Sequence, residues 1–522
     1  MAHKTLKRMP LGIQTFSEIV DRNCLYVDKT AYICKMTALS KYVFLSRPRR
    51  FGKSLLVSTL QSYFEGRKEL FRGLYIDGVE RDWTAFPVLK FSLASAKHRD
   101  AGQLQRFLHN LLAREEARWG ITSDKPDANE RLTDLILEAK ARTGRNVVVL
   151  IDEYDAPLLD VAHDDASLDR MRLVMRNFYS PLKDCDPHLH FVFITGITKF
   201  SQLSIFSELN NLKNISMLPE FAAVCGIAEE EMLTQMSDYV DGYAAALGTT
   251  RQEACALLKV QYDGYHFTWP SPDIFNPFSL INALEDKLPA PGSYWFESGT
   301  PSFLIEKLKE FRIVPSMLQP TTAIASAFDA PTESMTSIMP LLYQAGYFTI
   351  KGHDPVTGLY TLDFPNNEIR IGLMESLLPN YVQTDSYKGT TTVALMYRAL
   401  YEDRLDEMLR LLQAFLLTVP QCDNTNYEGH YQQLLYVIFS LLGRYVDVEV
   451  RTSAGRVDMV MRTGKALYLF ELKLNRSAGA AMRQIDLKDY ASRFALCGLP
   501  VVKVAIRFDA ARHTIGEWQI EG

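Results

Sequence analysis

The chain has 522 residues, 47% hydrophobic and 23% charged, with a formal net charge of −5. That length exceeds one hydrophobic core and predicts roughly two to four domains. The composition is that of a soluble globular protein and excludes a globally basic nucleic-acid-binding chain. From Arg456 onward, however, eleven Lys/Arg stand against seven Asp/Glu. This is a mild hint of a phosphate-backbone partner, although a solvated surface more often explains such a count. The seven cysteines are scattered and form no C-x-x-C pair, which argues against a disulfide framework and a zinc site and for a reducing compartment. The basic N-terminus, Met1 to Pro10, lacks the apolar segment of a secretory signal, and no apolar run approaches a membrane span. A cytoplasmic protein with no membrane partner is expected.

After a lead-in over 1–10, strand-like segments at 42–46, 87–93, 146–152 and 190–196 alternate with helical patterns at 53–65, 102–118, 128–142 and 167–180. Such alternation predicts βαβ units and a helix-covered parallel sheet, with any phosphate loop at its C-terminal edge.

Arg47-Pro48-Arg49-Arg50-Phe51-Gly52-Lys53-Ser54 follows the first of these strands and opens a helix. Gly-Lys-Ser at such a junction suits a nucleotide: backbone N–H groups face the phosphates, Lys53 reaches them, and the Ser54 hydroxyl ligates Mg²⁺. Arg47 stands where the general pattern has its first glycine. The apolar run Asn146 to Ile151 reads as a strand buried on both faces and ends in Asp152-Glu153. Asp152 is assigned to the metal and Glu153 to the attacking water. Either motif alone also fits a chance match or a polar turn. Their order, each after an apolar strand, favours the phosphate site. At the end of the strand 190–196, Thr195 and Thr198 are candidates to sense the γ-phosphate, with Lys199 as a charge partner; a capped loop fits as well.

Residues 228–285 read as helical, interrupted by the aromatic run Tyr262 to Phe267, taken as a packing knot with His266 structural. Residues 289–302 mark a boundary. Strand, turn and strand follow at 347–350, 354–358 and 359–362, suggesting a small winged-helix-like unit. One amphipathic helix is expected over 393–418.

Nearer the C-terminus, a helix at about 428–443 carries Glu428, and strands follow at 445–451, 456–461 and 465–473. If the last two pair antiparallel, Asp458 and Glu471 meet, and Glu471 and Lys473 share a face. Two carboxylates and a lysine suit Mg²⁺ with retained waters and a developing phosphate charge. The metal set expected is Asp458 and Glu471, with Glu428 from the preceding helix. Arg483 and Gln484, on a following helix with Tyr490 farther on, are placed to touch phosphate. The plainer reading is a Glu471–Lys473 salt bridge on an exposed strand. Lone charges inside apolar strands are costly, and that weighs against it.

The Arg-rich loop and Ile151-Asp152-Glu153-Tyr154-Asp155, with Tyr26-Val27-Asp28-Lys29-Thr30, Thr195 to Ser201 and Tyr262-Asp263-Gly264-Tyr265, resemble the bacterial AAA-ATPase-like proteins of the P-loop superfamily. Asp458, Glu471-x-Lys473 and Gln484 resemble the PD-(D/E)XK nuclease-like domain that members commonly carry at the C-terminus. The resemblance spans about 10–520 and implies an α/β fold: a P-loop parallel sheet, a helical and winged-helix-like middle, and a restriction-endonuclease-like C-terminal domain. The expected domains are 10–285, 286–385 and 390–522. The implied cofactors are ATP, held by Arg49, Arg50, Phe51, Gly52, Lys53, Ser54, Asp152 and Thr195, and Mg²⁺. The implied activities are ATP hydrolysis and cleavage of DNA or RNA, with a role in defence against mobile DNA among the implications. A non-cleaving, ATP-gated binding or signalling protein is the alternative, and a protein-remodelling ATPase a third reading. Self-association stays open, since Arg49, Arg50, Lys199 or a neighbouring subunit's residue are the candidates for an arginine finger.

Overall fold

In the computed structural model, the described residues are 6–94, 97–161, 164–198, 211–288, 292–297, 302–330, 335–381, 386–419, 427–444, 447–453, 456–463, 465–473, 477–487, 499–509 and 512–522. The chain divides into two units, one of 1–295 with 320–366 and one of 296–319 with 367–522. The stretch 286–385 is therefore shared between them.

The first unit is built on a parallel sheet. Its strands are β1 (Tyr42–Ser46), β2 (Val88–Ser92), β3 (Val147–Asp152), β4 (Leu189–Gly196) and β5 (Lys213–Asn214), in the order β2-β3-β4-β1-β5. All six residues of β3 are buried, as a Val/Ile/Leu run covered on both faces requires. Helices Lys53–Phe64, Ala101–Trp119, Ala128–Thr143 and Asp165–Tyr179 fall where the periodicity places them. Leu104, Leu108, Leu135, Ile136, Met171 and Met175 pack with the strand residues Val147, Val149 and Ile194 in one core. The strand β4 lies between β1 and β3, with Leu45 beside Thr195 and Ile151 beside Ile194. The C-terminal tips of β1 and β3 are thus level and two strand spacings apart, about 10 Å.

A second core of this unit gathers helices Ser237–Leu247, Arg251–Tyr262 and Pro277–Asp286 beside the short pair β6 (Ile227–Ala228) and β7 (Ile274–Phe275). Strands β8 (Thr321–Ala323), β9 (Thr349–Asp354) and β10 (Leu359–Asp363) form a three-stranded antiparallel sheet whose hairpin is the expected one.

The second unit centres on β11 (Asp447–Ser453), β12 (Arg456–Arg462), β13 (Leu467–Lys473), β14 (Val501–Asp509) and β15 (Thr514–Glu521), hydrogen-bonded in that order and antiparallel except for the parallel pair β13–β14. Helix Ala478–Leu487 packs Ala481 and Ile485 onto Leu467, Leu469 and Ala505. Phe439 of helix Tyr427–Leu441 meets Phe470, which alternates to the other face. The single helix expected over 393–418 is two, Ser386–Tyr401 and Leu405–Leu417. Asp403 takes a left-handed backbone with φ of 59°. Lys465 holds that break, donating to the Tyr401 carbonyl at 2.9 Å and to the Asp403 carboxylate at 2.9 Å. Among the described residues, no helix is long and apolar enough to cross a membrane.

Candidate functional site

The phosphate-type loop leaves β1 at Ser46 and enters the helix at Lys53. Gly52 has φ of 91°, and a Cβ there would touch nothing within 4 Å, so glycine is required by the backbone rather than by space. Arg50 is also left-handed, with φ of 68°. Arg49 and Arg50 are exposed, and the Arg50 guanidinium lies 4.4 Å from the Phe278 ring centroid. Phe51 is buried edge-on against Tyr265 and Phe267. Ser54 is half-buried in the first helical turn. Lys53 is buried and turns back on its own loop, donating to the carbonyls of Arg47 at 3.0 Å and Pro48 at 2.9 Å. Burial pushes its amine below the usual lysine range, and Glu153, Asp155 and Asp152 oppose that.

Arg47 is a brace. It is 2% exposed. It donates to the carbonyls of Ser46 at 2.9 Å, Ser216 at 2.7 Å and Phe221 at 3.0 Å, and lies 4.1 Å from the Phe267 centroid. Burial lowers its pKa to about 10. A glycine here would leave carbonyls buried and unpaired, so the departure from the general loop pattern has a structural cause.

Asp152 ends β3 with its Oδ1 buried and without a hydrogen bond. Glu153 is held left-handed, φ 52°. Its carboxyl is pushed up by burial and by Asp152, against Lys53 and Arg49. An orphaned carboxylate oxygen, a desolvated lysine and a left-handed glycine fit a nucleotide phosphate with a divalent cation.

Thr195 is buried, and its hydroxyl donates to the Leu45 carbonyl at 2.7 Å, bridging β4 to β1. Thr198 bonds Asp155 rather than the open edge. The Asp155 carboxylate accepts from Ile197 N at 3.0 Å, Thr198 N at 2.6 Å and the Thr198 hydroxyl at 2.7 Å. Burial raises the Asp155 carboxyl, and the Thr198 bonds oppose that. A Cβ at Gly196 would come within 2.4 Å of Asp155 Oδ1. Lys199 lies outside the described residues. His266 is a structural histidine, with Nε2 at 2.7 Å from Asp273 and Nδ1 at 3.1 Å from the Ser271 hydroxyl. Nearby Asp263 is 2% exposed, with neither carboxylate oxygen hydrogen-bonded. Burial raises its pKa to about 7.

In the second unit Asp458 and Glu471 face each other across β12 and β13, and Lys473 lies two residue pairs further along. The three are 5%, 1% and 7% exposed. Lys473 Nζ is 2.9 Å from Glu471 Oε1. Register places Glu471 and Lys473 on the face that carries Leu467 and Leu469, under helix Ala478–Leu487. The ion pair is therefore buried, not the exposed decoration that the plainer reading assumed. Among the described residues no three His, Cys, Asp or Glu side chains form a metal cluster. Two carboxylates fit Mg²⁺, which keeps waters and takes substrate oxygens. The side chains of Glu428 and Gln484, and all of Tyr490, lie outside the described residues. Arg483 is exposed on the helix.

Residues 10–206 match the family described as "Predicted AAA-ATPase", and residues 426–518 match the PD-(D/E)XK nuclease superfamily. The chain is similar to the "Uncharacterized protein in vnfD 5'region" of Azotobacter chroococcum mcd 1, with 35% identity over 530 residues and 99% of each chain covered. It belongs to the AAA-ATPase-like family. This AAA-ATPase-like chain thus joins an ATPase-type domain to a nuclease-superfamily domain, as its two motif sets imply. Sequence reading missed two contributors to the ATPase site, the Arg47 brace and the Asp155 clasp. Both lie inside the motifs, Arg47 in the Arg-rich loop and Asp155 at the end of Ile151 to Asp155, but neither had a role assigned.

Proposed function

We propose that this chain is an ATP-dependent enzyme in which nucleotide binding and hydrolysis govern a Mg²⁺-dependent phosphodiesterase acting on DNA or RNA. The observation that carries the reading is the direct pairing of Asp458 with Glu471, with Lys473 beside them, in a chain that also carries the phosphate loop. Lys53, Ser54 and the other loop residues Arg49 to Gly52 hold the nucleotide. Asp152 and Ser54 hold its cation. Glu153 orients the attacking water, and Thr195 stands at the adjacent strand tip. In the second unit Asp458 and Glu471 hold the cation, and Lys473 steadies charge on the phosphodiester. Bound Mg²⁺ supplies Lewis acidity and an acidified water at both places. A cytoplasmic setting, self-association and a role in defence against mobile DNA are compatible with this reading.

The test is cleavage of single- and double-stranded DNA and RNA by the full chain, with and without ATP, in Mg²⁺ or Mn²⁺. Metal-dependent cutting that a Lys473→Ala variant lacks supports the reading. A wild-type chain that cuts none of the four substrates overturns it. A second reading, a binding protein with a non-cleaving nuclease fold, draws support from the Glu471–Lys473 contact, which also satisfies a purely structural pair. Nucleic-acid affinity without metal-dependent cutting would select it.

A further inference from the structure

A phosphodiester drawn to Asp458 and Glu471 meets two carboxylates of its own sign. Lys473, the neighbouring cation, is shared with Glu471 at 2.9 Å. A cation held by Asp458 and Glu471 offsets their charge at the scissile phosphate, but the neighbouring phosphates of the strand call for another positive group on the same sheet face. Register supplies it. Lys473 of β13 pairs with Arg507 of β14 in the parallel direction, two rungs beyond the Glu471–Ala505 pair and so on the same face. Paired residues of adjacent strands project to one side and lie about 4.8 Å apart. Ala505, two residues before Arg507, packs under helix Ala478–Leu487, which fixes that side as the one bearing Glu471 and Lys473. On β12, Arg456 occupies the backbone register position opposite Lys473.

Arg507 is not consumed by the fold. Its side chain is 43% exposed, and its ion pair with Glu517 of β15 is long, 4.0 Å from Nε, with Glu517 57% exposed. Pairs of that kind contribute little. Its guanidinium passes Gly516, where a Cβ would lie 3.5 Å from Nη2. Asp509, two residues on, shares this side and accepts from Arg512 N at 3.2 Å.

We propose that Arg507 is a substrate-binding residue, seating a backbone phosphate of the nucleic-acid strand beside the Asp458–Glu471–Lys473 centre, with Glu517 as a weak occupant that the phosphate displaces. The proposal rests on the nuclease reading above. Planar guanidinium geometry suits a phosphate at this place better than a point charge does.

The experiment uses the full chain and fluorescein-labelled 30-mers of DNA and RNA, with anisotropy titrations in Ca²⁺ across NaCl concentrations and cleavage rates in Mn²⁺. R507Q is expected to weaken binding about tenfold and to lower the salt slope by about one phosphate contact, near 0.9 on duplex DNA. Its KM rises while kcat changes less than about twofold, and R507K recovers part of the loss. E517Q is expected to bind as tightly as wild type or tighter. If Arg507 only props the β14–β15 edge, E517Q reproduces the loss, and that outcome overturns the proposal. So does an R507Q protein with wild-type slope and KM. A wild-type chain that neither binds nor cuts the 30-mers instead removes the nuclease reading, and Arg507's role with it. The DNA and RNA arms distinguish the two sources of the phosphodiester.

Discussion

At the nucleotide loop the charged groups stand on turns that leave a parallel sheet, whereas at the C-terminal site they stand on the strands themselves. The two lysines show the consequence. Lys53 rests on neutral carbonyls of its own loop, with no carboxylate among the described residues bonded to it, and burial disfavours its charged form. Lys473 rests on a carboxylate fixed by sheet register. The first site is shaped by backbone conformation, with Arg50, Gly52 and Glu153 all left-handed. The second is shaped by which residues face each other. Backbone-altering substitutions should therefore injure the first site, and charge-altering ones the second.

The sharpest break in this comparison is Lys473→Met, which keeps the stem and removes the charge. Cleavage in Mn²⁺ should fall about 1,000-fold, and single-turnover rates check it; cutting within a few fold of wild type would show the register-built lysine to be structural. Restoring the general loop pattern with Arg47→Gly should harm the protein, because carbonyls 169 and 174 residues away lose their donor. A loss of about 3 kcal/mol is expected, read as a lower midpoint in urea; an unchanged midpoint would dissolve the brace. Lys53→Ala should cut ATP turnover roughly 100-fold, measured by phosphate release, and wild-type turnover would end the loop assignment.

A pH experiment isolates burial from catalysis. The Asp263 carboxyl titrates at about 7, above its ordinary value of 3.8, because it is buried. The folded state therefore holds a proton that the unfolded chain has released. Stability is full below about pH 4, falls as pH rises toward about 7 and stays low beyond, by about 4 kcal/mol. Melting curves of Asp263→Asn should lose that slope; a parallel decline in both proteins would mean that another group is responsible. The smallest effect expected is Gly52→Ala, at about 1–2 kcal/mol of left-handed strain with no clash. It should appear in nucleotide-free melting, and a neutral result would mean that the loop relaxes.

Much of this was legible in the chain. The runs at 42–46 and 146–152 are apolar, the second also rich in β-branched residues, and end on Ser46 and Asp152 as the structure has them, because a strand covered on both faces tolerates little else. The pairing of Asp458 with Glu471 was legible because strand alternation and a short turn leave few registers. What sequence could not supply were relations set by distant partners. Arg47 looks like a defect until Ser216 and Phe221 surround it. Asp155 looks like turn polarity until Thr198 arrives from another strand. The break at Asp403 depends on Lys465, 62 residues on, inside a stretch whose periodicity alone predicts one helix.

The Asp155 clasp has a mechanical consequence. Three bonds from one buried carboxylate rivet the end of β4 to the turn after β3. The two ends are tied together, so a push felt at Asp152 or Glu153 is delivered to Thr198. Thr198→Val, which removes one rivet and keeps the shape, would slacken that linkage while leaving the phosphate loop untouched.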